Sequence, residues 1–312
     1  MFKAIPAFFA NILGVVLNII YNVVGNYGIA IIIFSVLIKL IMVPTSIKQQ
    51  KNMKKSLKIQ EKMKEIQAKY KNNPQKLNEE TMELYKKENM SPFSGCSSLI
   101  VNMIVIFSVF FIVSSPLTYM KKVNSEIIDK YTKIIQEYKL VENTSYAEIN
   151  LIREIENIRA LRNTISDEQK EDTKTDLLEI KDEELDQLKI NMEFLGLDLS
   201  QVPTKSKDWK AYIIPILYVV VSILSLKITN PTQSPKNQPT ENKDEKALAK
   251  NEEDFDPMDQ MNKNMNLMFP IMYIMIAIVA PLGLALYWLT NSLLMIVERL
   301  AINKLLKDEE EK

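Results

Sequence analysis

The sequence predicts an all-α integral membrane protein, with five transmembrane helices around a hydrophilic groove, an N-terminal interfacial helix and a cytoplasmic helical hairpin. Three observations predict it. Apolar and charged residues fall in separate blocks instead of interleaving. Several apolar blocks approach the ~20 residues that a helix needs to cross a bilayer. One lysine, Lys39, sits inside the apolar stretch Ile29–Val43. The 39 basic and 39 acidic residues cancel, so only the distribution of charge is informative. With one cysteine and no histidine, a disulfide framework, a histidine-based zinc site and a histidine-containing triad are all excluded.

The elements follow in order. In residues 1–26, Ala4, Ala7, Asn11, Gly14, Asn18, Asn22 and Gly25 recur at three- and four-residue steps, a small and polar stripe on an otherwise apolar helix. This reads as an uncleaved helix lying in the outer interface. The alternative is a cleaved signal segment, for which Lys3 alone supplies the positive end. Residues 27–47 form the first span. Residues 48–92 form a hairpin: Ile59, Met63, Ile66 and Tyr70 make an apolar line, Asn73-Pro74 supplies an N-cap and a first-turn proline, and Leu77, Thr81, Leu84 and Glu88 continue on the return helix.

The second span is 95–117. The loop 118–209 carries a helical stretch from about residue 124 to 189. There Ser145-Tyr146-Ala147-Glu148 fits a capping box, and Ile149, Ile152, Ile155 and Ile158 follow at helical spacing. Residues 210–228 form the third span and 229–262 a polar loop. A long apolar stretch is then broken by Pro281-Leu282-Gly283 into a fourth span (263–281) and a fifth (283–302), before a charged tail, 303–312. The last two apolar runs are short, about 25 Å at helical rise, and favour a locally thinned bilayer.

Charge sets the orientation. Lys48–Glu88 has twelve lysines against six acids, whereas Lys121–Lys210 has fifteen basic residues against twenty acids. The first loop is then cytoplasmic, the second outside, the N-terminus out and the C-terminus in. Residues 229–264, with five lysines and eight acids, follow the rule less well.

Lys39 is the residue most in need of an explanation. An ionisable group at bilayer depth costs about 2.5–3.5 kcal/mol on insertion scales. Snorkelling to the surface marked by Lys48 and Lys51 requires about 13 Å, roughly twice the reach of the lysine stem. A wet, protein-lined cavity is the better reading. Polar pairs recur on other spans: Ser35 with Lys39, Ser98 with Asn102, Tyr218 with Ser222 and Ser225, and Tyr287 with Asn291. Singly, each suits ordinary interhelical hydrogen bonding; together they suggest polar faces turned to one groove. The spans are read as free of acidic residues, so a buried ion pair is not expected.

Trp288 reads as groove-lining or as an interface anchor, and Cys96 as a small buried residue. Met261, Met265, Met268, Met272 and Met275 make a stripe suited to helix packing or to adaptable contact with substrates. On the hairpin, Lys54, Lys55, Lys58 and Lys62 could form a solvated face, or could meet anionic lipids, ribosomal RNA or an incoming chain.

These residues carry a family resemblance. Gly25-Asn26-Tyr27-Gly28-Ile29-Ala30, Leu37-Ile38-Lys39-Leu40, Pro44 and Lys48-Gln49-Gln50-Lys51 resemble the first core span of YidC-type membrane protein insertases, the YidC/Oxa/Alb family, in a short form without a large extracytoplasmic domain. Met63–Tyr70, Pro74 and Leu84-Tyr85-Lys86 resemble its cytoplasmic hairpin, and Asn89–Cys96 its approach to the second span. Met261-Asn262-Lys263, Phe269-Pro270, Pro281-Leu282-Gly283, Leu286-Tyr287-Trp288 and Asn291 resemble its C-terminal core. There are departures. Lys39 stands where the family usually has arginine, Asn102 where glutamine is common, and Ile104 and Ser98 where it has prolines. The 124–189 stretch looks inserted, either packing on the spans or binding another protein.

The resemblance implies a non-covalent insertase and chaperone of the bacterial plasma membrane, without cofactor or metal. Hydrophilic segments of nascent membrane proteins would pass a cationic groove lined by Lys39, Ser35, Asn102, Ser98, Tyr218, Ser222, Tyr287, Trp288 and Asn291. It also implies ribosome, secretion translocon and anionic lipids as partners, with no DNA and no small-molecule substrate. A membrane-anchored assembly scaffold and a small-solute transporter are the alternatives; the absence of evident internal repeats argues against the transporter.

Overall fold

The backbone groups at a helix start need acceptors from outside the helix, and this chain meets the need with short loop segments. In the computed structural model the described residues are 4–71, 73–88, 94–141, 145–163, 177, 179–229 and 275–310, and they are mostly helical. They form two compact units: Met1–Gly25, Ile33–Lys189 and Ala301–Lys312 in one, Asn26–Ile32 and Ile190–Leu300 in the other.

In the first unit, α1 (Ala4–Val24) packs along α4 (Ser94–Ser114). Its buried residues are Pro6, Ala10, Gly14 and Leu17. The contact line therefore shares only Gly14 with the expected small and polar stripe. Gly14 meets the backbone of Tyr119, so a methyl group there would collide with the Tyr119 carbonyl. Small residues let two apolar helices approach closely where burial from water supplies no drive. Asn11, from the same stripe, is exposed and accepts a hydrogen bond from Lys122 Nζ.

Helix α2 (Tyr27–Lys69) runs unbroken for 43 residues, about 65 Å at helical rise. No break in the helix marks the passage near residue 47 from the expected first span to the hairpin. The helix passes through Pro44 and on into a lysine- and glutamine-rich stretch of good helix formers. Asn73 ends the turn, its Oδ1 accepting from Lys76 N at 3.2 Å, and Pro74 opens α3 (Pro74–Lys87) as expected. The return helix folds back on α2 through buried Ile59 and Leu84, with Thr81 Oγ1 donating to Met63 Sδ at 3.4 Å and Tyr70 donating to Glu80 at 3.2 Å.

After α4 a single π-turn, Leu117–Lys121, leads to α5 (Ser125–Glu137), α6 (Ala147–Asn163) and α7 (Asp182–Leu188). Asn124 caps α5 by accepting from Glu126 N at 2.9 Å. The isoleucine line of α6 is buried at Ile149, Ile152, Ile155 and Ile158. Its Glu148 reaches beyond a local cap. One carboxylate oxygen accepts from Leu117 N (2.7 Å) and Thr118 N (3.0 Å), and the other from the Thr118 hydroxyl (2.6 Å). This ties the inserted helices to the end of α4. Burial raises the Glu148 carboxyl above the usual range, against those three hydrogen bonds, which pull it down.

On the exposed side, Arg159 bridges Asp182 and Asp186 at 3.2 and 3.0 Å. Nearer the core, Lys130 and Tyr131 both reach Glu184 at 2.9 Å. Burial pushes the Tyr131 phenol up to about 12.

The second unit holds a two-residue hairpin, β1 (Glu193–Phe194) paired antiparallel with β2 (Leu197–Asp198), then α8 (Ile213–Thr229) and the first part of α9 (Leu282–Glu310). Leu195 and Gly196 both have positive φ, 52° and 74°, as a two-residue type I′ turn requires. The Phe194 ring fills the space above Gly28. Residues 275–279 are helical and stop at Ala280-Pro281, where the sequence predicts the break. Helix α9 then continues to Glu310, so the charged residues 303–310 are helical and continuous with it. Residues 230–262 of the polar loop, most of 263–281 and four of the five stripe methionines lie outside the described residues; Met275, the fifth, is exposed.

Ala4–Val24, Tyr27–Asn52 and Leu282–Leu305 are long and apolar enough to cross a membrane, and Met103–Ser114 and Trp209–Ser225 are shorter apolar helices.

Two outcomes are expected. Gly14→Ala should lower the thermal stability of the protein in nanodiscs by about 1–3 kcal/mol through overpacking, whereas the same change at the uncrowded Asn22 should not. The Lys130 partner holds the Glu184 carboxyl below its ordinary value of 4.5. That stabilisation is complete above this value and is lost as pH falls through the lowered one. Acid titration of thermal stability should therefore be shallower for Glu184→Gln than for the parent protein.

Candidate functional site

Lys39 is placed by the start of α2. Asn26 caps that helix, its Oδ1 accepting from Ile29 N at 3.1 Å, while its own amide donates to the Glu193 carbonyl at 2.6 Å. Twelve residues on from Tyr27, Lys39 lies about 18 Å along the helix, more than half the ~30 Å thickness of a hydrocarbon layer. It is half-buried, and Ser35, one turn earlier, is buried. The ammonium-bearing side chain is thus not sealed in dry packing. Around it Ile33, Val36, Leu37, Leu40 and Ile41 are exposed, an apolar surface suited to acyl chains. A cation beside such a surface can attract a passing negative charge and lower the cost of bringing a polar group to that depth.

The other candidates of the first unit are only partly visible. The side chains of Ser98, Asn102, Cys96, Lys54 and Lys58 lie outside the described residues. Lys55 is exposed. Lys62 is bridged to Glu88 at 2.5 Å, closing the hairpin and drawing that lysine into its architecture.

In the second unit, the rings of Tyr218 on α8 and Trp288 on α9 lie 5.8 Å apart, tilted by 32°. Ser222, one turn below Tyr218, is buried, and its hydroxyl oxygen has no hydrogen-bond partner among the described residues. Tyr287 is 4% exposed, whereas Trp288 and Asn291 are half-buried. Tyr287 and Asn291, one turn apart, stay on the same side of α9, with Tyr287 the more deeply covered of the two. The expectation of acid-free spans needs correction: Glu298 and Arg299 both lie within Leu282–Leu305. Adjacent opposite charges there reduce the net charge carried at that depth. Among the described residues no group of three or more His, Cys, Asp or Glu side chains could hold a metal ion.

Sequence reasoning missed the organising role of residues 190–201. Tyr27 N donates to the Asn191 carbonyl at 3.0 Å, Gly283 N to that of Leu199 at 2.9 Å, and Leu282 N to that of Gln201 at 2.9 Å. Backbone acceptors leave no side-chain signature; Leu195-Gly196 was the one available hint of a turn.

A model of the family described as 60Kd inner membrane protein matches residues 19–310. The chain belongs to that family. Relatives of this 60Kd inner membrane protein chain include proteins named membrane protein insertase YidC. That of Caldanaerobacter subterraneus is 43% identical over 101 residues, covering 32% of this chain and 49% of that protein. The Fusobacterium nucleatum protein is 41% identical over 103 residues, 33% of this chain and 50% of that protein. The Clostridium perfringens protein is 37% identical over 112 residues, 36% and 44%. The chain therefore spans about half the length of the curated relatives it matches.

For this member of the 60Kd inner membrane protein family, the Tyr218–Trp288 pair yields a quantitative expectation. A double-mutant cycle of Tyr218→Leu and Trp288→Leu, read by thermal unfolding in nanodiscs, should give a coupling of about 0.5–1.5 kcal/mol. Additive effects would mean that the rings do not support each other.

Proposed function

We propose that the protein is a membrane protein insertase and chaperone of the bacterial plasma membrane. The observation that carries the reading is a lysine held half-buried and unsealed well inside an apolar helix, in a chain whose family includes proteins named for insertion. Five spans, with the N-terminus outside and the C-terminus inside, present polar faces to a hydrophilic groove. Its candidate lining is Lys39, Ser35, Asn102, Ser98, Tyr218, Ser222, Tyr287, Trp288 and Asn291. A hydrophilic and often acidic segment of a nascent membrane protein enters part-way and is held transiently by the Lys39 ammonium. The apolar segment of the same client slides along the lipid-facing sides of the spans and partitions into the bilayer. Membrane potential assists by drawing negative charge outward, worth about 2.3 kcal/mol per charge per 100 mV. No bond is made or broken, and the work is non-covalent.

The exposed hairpin face near Lys55 meets the ribosome, a secretion translocon or anionic headgroups, while Lys62 serves the hairpin itself through Glu88. What supports lysine in place of the family arginine is that charge is kept; what is lost is the planar five-donor fork. Attraction of a mobile acidic segment needs the charge more than the fork.

Insertion of a small single-span reporter, measured by protease protection at matched protein levels, tests the reading. Lys39→Arg should insert normally and Lys39→Ala should fall by about tenfold, the loss of one charge-assisted contact of roughly 1.4 kcal/mol. Equal insertion by Lys39→Ala and the parent would turn the interpretation toward a membrane-anchored scaffold.

A further inference from the structure

Residues 190–201 play no part in the mechanism above, yet the starts of three apolar helices gather at them. The bonds from Tyr27, Leu282 and Gly283 to the carbonyls of Asn191, Gln201 and Leu199 join this segment to the first residues of α2 and α9. Strand β2 also packs against the Trp209–Tyr212 turn that runs directly into α8. Because three apolar helices begin at one short segment, that segment sits at the level of a single membrane surface.

Two large apolar side chains project there. Leu195 is 87% exposed and Trp209 72% exposed. Leu195 also occupies the left-handed region at φ 52°, where Asn or Gly would make the same turn with less strain. Folding of the hairpin thus gives no reason for leucine at its tip. Exposure to water gives none either, since burying such a side chain is worth about 1.5–3 kcal/mol. Lys205, Lys207 and Lys210 are exposed along the same stretch.

We propose that Leu195 and Trp209 form a two-pronged lipid anchor. They seat in the boundary between headgroups and acyl chains, in the leaflet where α2, α8 and α9 begin, and the three lysines reach the lipid phosphates. Tryptophan favours this layer because its ring is apolar and its N–H remains wet. The leucine dips past it, and the tight turn keeps both backbone strands of the hairpin outside the hydrocarbon. The occupant is a phospholipid, so anchoring requires no client and stands apart from the insertase reading.

Trp209 and Trp288 are the two tryptophans of the chain, so Trp288→Phe leaves Trp209 as sole reporter. The full chain is reconstituted in phosphatidylcholine–phosphatidylglycerol vesicles containing lipid brominated near the ester end or near the terminal methyl of its acyl chain. Quenching by the shallow bromines should be about twofold that by the deep ones. Water-like emission, quenched by iodide and by neither lipid, would overturn the anchor and point to a protein partner for the prongs. A fluorophore on Leu195→Cys, in a Cys96→Ser background, gives an independent reading of the hairpin tip. Its emission should shift to the blue in vesicles; an unshifted spectrum counts against the proposal. Leu195→Asn should keep or raise the thermal midpoint in detergent, since it removes strain without removing packing, and a fall would show that the leucine serves the fold instead.

Discussion

A helix entering a bilayer carries first-turn N–H groups that its own backbone cannot satisfy, and hydrocarbon offers no acceptor. The second unit answers this constraint with carbonyls. Asn191, Leu199 and Gln201 accept from the opening residues of α2 and α9, and Asn26 caps α2 with its side chain while holding the hairpin through its amide. Backbone acceptors are indifferent to side-chain identity, so the surrounding residues stay available for other roles. Gly28 is a visible exception, since the Phe194 ring occupies the place of its missing side chain.

The first unit depends on a different constraint. Apolar side chains cover most of α1, and its packing on the neighbouring segments depends on close approach at its one buried glycine. Gly14 against the Tyr119 backbone provides it. The turn in contact with Gly14 is also the one whose amides Glu148 holds. A single π-turn thus receives α1 on one side and the inserted helices on another, which accounts for a charged group being retained in a buried position.

Features set by short-range rules were legible in the sequence. The Asn73-Pro74 cap, the isoleucine line of α6 and the break at Pro281 each follow from local stereochemistry or helical period, and each is found. Lys39 was legible because charge within an apolar run needs no partner to be noticed. The continuity of α2 was not. Hydropathy falls near Lys48, but falling hydropathy marks the end of a membrane layer and not of a helix. In α1 periodicity shows that a small and polar stripe exists, while the buried residues Pro6, Ala10, Gly14 and Leu17 share only Gly14 with it. Glu148 was noticed as a local cap, since its partners lie some thirty residues away. The reading of acid-free spans fails at Glu298, which lies with Arg299 inside an otherwise apolar run.

Pro44 within α2 has a consequence one turn upstream. Proline lacks an amide hydrogen, so the carbonyl oxygen of Leu40 loses the donor that an ordinary residue at 44 would supply. That oxygen belongs to the residue immediately after Lys39 in the chain. A proline here thus weakens the helical ladder beside Lys39 and raises the polarity of the main chain there without any added polar side chain.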